Sequence, residues 1–408
     1  MSVTGSVLFF LVLLALAALG KPVAEKLHLP YPVMLVAIGF IASEVATGQL
    51  GLDTGIDWQN LQFIIFYGLI PMLIFHAALD LSPSRLFSEA VILSILALPL
   101  MLISTAIIAV ILLLGINHPG FPLIAALITG ALLSATDPSA VVTVLRRFNI
   151  SGRLTLLLEG ESLFNDATAI LLFSLFIHIA VTGEAGNNLW LDTIVRFLVV
   201  FTGGIAVGVL LSLLASVLIT IVQGHSLNGL IYIIGVYGAF IVAEMLLHVS
   251  GVMAVLTFGL VIGYLGRKHA QVFDHEAVKQ FWSVLVGIAE ILIFLLAGIS
   301  ILPDMFTDRS YAMLVGIVAI LVARAVIIFG GMSLLGLFSV RQRLSVGEQT
   351  LMFWGGIRGT VTLALALSIP LTLDYWYTIQ SVAYGVVLFT LFIQATTLVP
   401  VARWLSAE

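Results

Sequence analysis

The sequence contains no cysteine, so it has neither a disulfide framework nor thiolate ligands for a metal, and its redox compartment leaves no trace. Charge is almost as scarce. Only 9% of the 408 residues are Asp, Glu, Lys or Arg, where soluble domains carry about a quarter. Together with 61% hydrophobic residues and a mean hydropathy of +1.21, that scarcity means most of the surface faces lipid or other apolar helices. No long polar interval separates the apolar runs, so a single membrane-embedded unit over 1–408 is expected, with no appended soluble domain. A basic tail is also missing and the net charge of -5 is mild, which leaves nothing to suggest nucleic acid as a partner. The first apolar segment has no Lys or Arg before it. Lys21-Pro22 stands where a small-residue cleavage site would follow, so the segment reads as a retained helix rather than a signal peptide.

What is present is a succession of apolar runs long enough to cross about 30 Å of hydrocarbon. Thirteen are expected, at 4–20, 31–48, 61–79, 90–115, 121–146, 154–182, 193–222, 228–248, 250–266, 279–300, 310–338, 348–369 and 376–404. The fold class is therefore an all-α polytopic membrane protein. With the amino terminus outside, one side collects Lys21, Lys26, Arg85, Arg146, Arg147, Arg153, Arg267, Lys268, Lys279, Arg341, Arg343 and Arg403, twelve of the sixteen Lys and Arg. The positive-inside rule then puts the carboxyl terminus in the cytoplasm of a cell-membrane protein. Arg324 and Arg358 fall inside apolar runs.

Two spans are interrupted. Thr136-Asp137-Pro138-Ser139 sets a proline beside a carboxylate in the fifth, and Gly355-Gly356-Ile357-Arg358-Gly359-Thr360 sets three glycines and an arginine in the twelfth. Being seven spans apart, they cross in opposite directions. This suggests inverted repeats of spans 1–6 and 8–13, with two discontinuous helices crossing near a midplane site.

The sixth span carries Gly160-Glu161-Ser162-Leu163-Phe164-Asn165-Asp166. A carboxylate at mid-bilayer costs about 2.5–3.5 kcal/mol on insertion scales, so two of them call for a function. Ser162 and Asp166 share one helix face, and Glu161 and Asn165 share the adjacent one. A carboxylate, a hydroxyl and freed carbonyls are the oxygen donors that hard cations prefer. Asp137 is placed to offset the positive ends of half-helices and Arg358 the negative ends. Glu161, Asp166 and Asp137 against Arg324 and Arg358 leave one unbalanced negative charge, provided Glu244 and Glu290 are neutral or paired elsewhere. One proton or one monovalent cation would neutralise it, and competition of both for one carboxylate is antiport.

These segments, GESLFND, TDPSAV, Ala323-Arg324, GGIRGTVTLALAL and AEILIFLLAG, resemble as an ordered set the sodium/proton exchangers of the cation/proton antiporter superfamily. The similarity is to the branch with an Asn-Asp pair, which includes bacterial NhaP-type proteins and animal sodium/proton exchangers. It implies a homodimer with an interface part at 1–80 and 228–300, a mobile core part at 85–182 and 310–408, and a linker helix at 193–222. The core would carry the site across the membrane as an elevator. Asn165-Asp166 is similar to the electroneutral, one-for-one exchangers. By position, the resemblance implies that Asp166 carries the cation or the proton. Ser162 would be a side-chain ligand and Thr136 a ligand through its carbonyl. Asp137 would bind through water or orient the site, Asn165 would stabilise it, Glu161 would pair with Arg324, and Arg358 would lie at the crossing. Relatives often carry an acid after the Leu-Phe pair of the third span, but here His76 follows Phe75, which makes His76 a candidate modulator and leaves potassium open. No cofactor is implied beyond the transported ions, sodium foremost with potassium or lithium as alternatives, and protons; the other partners are lipids.

An intramembrane aspartyl protease built on Asp137 and Asp166 would give the glycine-arginine segment no role, and no Gly-x-Gly-Asp surrounds either acid. A transporter rather than an enzyme is therefore expected. A cation channel or symporter on the same fold is the remaining alternative.

Overall fold

Hydrocarbon offers no partner to a backbone amide, so a chain this apolar must satisfy its backbone inside helices. The computed structural model describes residues 3–406 apart from 28, 46–57, 82, 148–151, 184–188, 223–224, 270–272, 274 and 339–343. Among the described residues every regular element is helical. We number them α1 (Val3–Leu27), α2 (Tyr31–Ser43), α3 (Leu61–Asp80), α4 (Ala90–Gly115), α5 (Leu123–Ser134), α6 (Ser139–Arg147), α7 (Gly152–Thr182) and α8 (Leu189–Val222). Then come α9 (Leu227–Leu246), α10 (Gly251–Lys268), α11 (His275–Ser300), α12 (Ser310–Gly336), α13 (Val346–Trp354), α14 (Thr360–Leu367) and α15 (Trp376–Arg403).

Eleven helices are long and apolar enough to cross a membrane, counting α5 and α6 as one span. The other two expected spans coincide with the short α2 and with α13 and α14, whose break leaves each half too short. Length and apolarity alone therefore do not reach thirteen. Of the residues used above, Arg341, Arg343 and the 46–48 end of the second run lie outside the described residues. The closely spaced runs at 228–248 and 250–266 are two helices. His248 turns the chain at a φ of 52°, and the Ser250 hydroxyl accepts from Met253 N at 3.1 Å to cap α10.

Packing divides the helices into two groups. α1, α2, α3, α9, α10 and α11 pack on one another, with α8 lying along α10; α4 to α7 and α12 to α15 form the other. Within the first, α2 and α11 approach so closely at Gly39 and Gly298 that a Cβ on either would strike the backbone of the other helix. The groups meet where α11 packs on α14 and where α7 packs on α3 and α10. Two neutral hydrogen bonds cross this seam, from Gln62 Nε2 to Ile369 O at 2.7 Å and between Ser300 Oγ and Tyr384 OH at 2.6 Å.

The two interruptions lie against each other. Asp137 N donates to Ile357 O at 2.7 Å, so each break supplies the partner that the other lacks. A capping box of Ser345 with Glu348 fixes the start of α13, and Gly355 ends it. Gly359 faces the Asp137 carboxylate so closely that a Cβ would sit 2.7 Å from Asp137 Cβ and 2.8 Å from its Cγ. Gly359→Ala is expected to force the breaks apart at a cost of about 1–3 kcal/mol, read as a lowered unfolding midpoint of the purified protein in detergent; an unchanged midpoint would show that the breaks have room to spare.

Candidate cation-binding site

A cavity of about 400 Å³ opens in the seam and ends at the two breaks. Thr136, Asp137, Ser162 and Asp166 line it from one side, and His76 and Glu290 from the other. Its mouth is edged by two ion pairs, Lys279 with Asp80 at 3.2 Å and Arg146 with Glu159 at 2.9 Å. Asp80 and Lys279 stand at the ends of α3 and α11 opposite to Gln62 and Ser300, so the seam is bonded at one end of the bundle and open at the other.

Each wall residue is placed by a local cause. Ser162 does not bond back along its own helix, as membrane serines often do. Its hydroxyl donates instead to the Thr136 carbonyl, which the break at Pro138 has released from helical pairing. That carbonyl keeps a second lone pair for another partner. Asp137 Oδ1 accepts from Ser139 N at 3.0 Å, so the carboxylate sits at the positive amino end of α6. Asp166, one helical turn beyond Ser162, has a buried Oδ1 with no hydrogen-bond partner. An acid oxygen left bare inside a protein costs free energy unless something comes to meet it. The Nδ1 of His76 is likewise buried and unpartnered.

The other face of α7 does different work. Glu161, 2% exposed, forms a bidentate ion pair with Arg324 of α12, its second contact running from Nη2 to Oε2 at 3.2 Å. Arg324 also donates from Nε and Nη2 to Met352 O at 3.2 and 3.0 Å, neutralising the carboxyl end of α13. Arg358 is 2% exposed, donates from Nη1 to Gly356 O at 2.8 Å, and has its own amide held by Thr390 Oγ1 at 3.1 Å. A widened helical turn at Thr390–Gln394 contains that threonine. Asn165 Nδ2 lies 3.4 Å from Glu161 Oε1.

The two faces of α7 open on different spaces. Thr136, Asp137, Ser162 and Asp166 share the cavity with His76, whereas Glu161, Asn165, Arg324 and Arg358 lie behind it, around a far smaller void whose lining shares only Thr136 with the cavity. Asn165 turns to Glu161 because residues four apart share a helix face, and it is Ser162 that shares Asp166's. Glu244 is held elsewhere, accepting from Gly251 N at 2.9 Å, but Glu290 faces the main cavity, so the charge sum at the crossing omitted one acid. Among the described residues no three His, Cys, Asp or Glu side chains converge as a metal-binding group.

The sequence model for "Sodium/hydrogen exchanger, transmembrane" matches residues 11–404. The chain belongs to that exchanger family. Among similar curated proteins, the Na(+)/H(+) antiporter ApNhaP of Aphanothece halophytica is 31% identical over 387 residues, covering 94% of this chain and 71% of the relative. The Na(+)/H(+) antiporter NhaH of Halobacillus aidingensis is 31% identical over 404 residues, covering 97% of each. Among solved structures, the sodium proton antiporter MjNhaP1 of Methanocaldococcus jannaschii superposes over the full length of both chains with a TM-score of 0.83 at 23% identity. That likeness establishes a shared exchanger fold.

Sequence reading passed over Thr362, whose hydroxyl is buried in the cavity wall, and left Glu290 out of the site as neutral or paired elsewhere. Only the periodicity of AEILIFLLAG against its neighbours could have shown which way that acid points.

Removing one partner of a buried ion pair costs about 3–5 kcal/mol because the other is left uncompensated. Glu161→Gln and Arg324→Ala are each expected to destabilise the protein on that scale, and the double variant to cost much less than their sum. A double-mutant cycle of unfolding in detergent checks this, and strict additivity would dissolve the pair.

Proposed function

We propose that this membrane protein exchanges a monovalent cation, sodium foremost, for a proton across the cell membrane, with Asp166 alternating between the two ions. The observation carrying this reading is the bare carboxylate oxygen of Asp166 at the closed end of a polar cavity, beside the Ser162 hydroxyl and the Thr136 carbonyl. A single acid flanked by neutral oxygens suits a cation that must leave again. It also suits a proton, because either ion removes the cost of the exposed charge. The family membership and the Na(+)/H(+) antiporters among the relatives point to the same chemistry.

Alternating access follows if the α4–α7 and α12–α15 group slides against the other, carrying Asp166 from one side to the other. In this account the first group holds a homodimer together, α8 links the two, and Arg358 and the Glu161–Arg324 pair stiffen the moving body. The mouth edged by the two ion pairs faces the cytoplasm and the amino terminus lies outside, by the distribution of loop charge. One-for-one exchange requires only that one acid serve both ions and that Asn165 stay neutral. Potassium or lithium remains compatible, since His76 stands where relatives often place an acid.

Asp166→Asn is expected to reduce cation-driven proton movement in proteoliposomes to the level of empty vesicles while leaving the unfolding midpoint near that of the wild type. Retained exchange driven by sodium, potassium or lithium would remove Asp166 from its role. Exchange is also expected to be insensitive to a membrane potential clamped with potassium and valinomycin; a rate that follows the potential would contradict one-for-one stoichiometry.

A further inference from the structure

Buried hydroxyls in apolar helices satisfy themselves by donating to a carbonyl three or four residues back. The buried Thr129, Ser134 and Ser381 and the half-buried Ser174 and Ser368 all do so here, at 2.6–2.8 Å. Thr362 does not. It is 1% exposed, its Oγ1 has no hydrogen-bond partner, and it lines the cavity. The cause lies in the break before it. The carbonyl four residues back is that of Arg358, which lies in the break, outside the α14 helix that begins at Thr360. A hydroxyl kept bare in this way is unfavourable unless a partner arrives from the cavity.

Glu290 lines the same cavity from α11, the helix packed against α14. Among the described residues it makes no hydrogen bond or ion pair, and the cationic side chains that edge the cavity are engaged, Lys279 by Asp80 and Arg146 by Glu159. No three acids or histidines converge on one point, so Glu290 does not join Asp137 and Asp166 around a single ion. The cavity has the volume of roughly a dozen waters, room for a cation that keeps much of its hydration.

We propose that Glu290 and the Thr362 hydroxyl form a second cation subsite in this cavity, at the seam where α11 meets α14, where a partly hydrated sodium or potassium ion is held before it reaches Asp166. The subsite supplies one charged and one neutral oxygen, with water completing the shell, so it binds more weakly than a dehydrated site and releases its ion readily. It straddles the seam, with Glu290 on one helix group and Thr362 on the other, and therefore exists only while the cavity is open. Its effect is to raise the local cation concentration beside Asp166, which appears in the affinity of transport rather than in its ceiling. The proposal rests on the exchange reading for its role and on the cavity alone for its binding.

The full-length protein reconstituted in liposomes, with sodium and potassium as probes, tests it. Glu290→Gln and Thr362→Val preserve shape and each remove one oxygen donor. Both are expected to raise the cation KM about five- to tenfold, with the maximal rate within about twofold of wild type. Thr362→Ser should restore the wild-type KM, and the double variant should be little worse than the weaker single one. An unchanged KM, a collapse of the maximal rate at constant KM, or fully additive losses would each overturn the subsite. Binding of radioactive sodium to the protein in detergent separates the two readings. Wild type that binds but does not exchange, with binding weakened in the variants, leaves the subsite standing and removes the antiport. Wild type that exchanges, with variants that bind and transport as it does, removes the subsite alone.

Discussion

A helix broken inside hydrocarbon leaves backbone groups that neither water nor its own next turn can satisfy, and this chain contains two such breaks. They are tolerable only together. The Asp137 amide answers the Ile357 carbonyl, the Asp137 carboxylate answers the amino end of α6, and Arg324 and Arg358 answer the carbonyls where α13 ends. Removing any of these groups would leave a bare dipole in a medium of low dielectric, and the others would lose the reason for their positions. The polar cavity follows from the same constraint, because the Thr136 carbonyl freed by one break becomes an oxygen on its wall.

The helix facing the breaks, α7, serves two surfaces with residues that alternate along it. Glu161 and Asn165 turn towards Arg324 and hold the bundle, while Ser162 and Asp166 turn towards the cavity and are left with chemistry to do. The Glu161 charge is neutralised by an arginine that also caps α13, so one side chain stabilises an acid and a helix terminus at once. Among the described residues Asp166 forms no ion pair of that kind, which on the proposed function leaves it open to mobile ions.

Much of this was legible in the chain itself. Apolar runs located most of the helices, the proline and glycine clusters marked both breaks, and the four-residue spacing in GESLFND separated its two faces. The runs at 31–48 and 348–369 were legible as well, although they correspond to a short helix and to an interrupted pair that fall below the length of a full span. One thing was not legible, for a physical reason. The direction in which a polar side chain points within an apolar helix depends on packing with distant helices. Glu290 looks like a scaffold acid in sequence and Thr362 like one more threonine, until α11 and α14 are seen to meet beside the cavity.

The ion pairs described here respect the division of the molecule. Asp80 with Lys279 lies within one helix group, and Arg146 with Glu159, Arg153 with Glu89 and Arg324 with Glu161 lie within the other. Among the described residues, what bridges the boundary is uncharged, the Gln62 amide on the Ile369 carbonyl and the Ser300 hydroxyl on that of Tyr384. Breaking a desolvated ion pair for every turnover would add several kcal/mol to the barrier for displacement, whereas exchanging a neutral contact for another of its kind adds little. The buried Glu161–Arg324 pair therefore stiffens one half without locking it to its neighbour, which is the mechanical property that a bearing needs if the proposed displacement occurs.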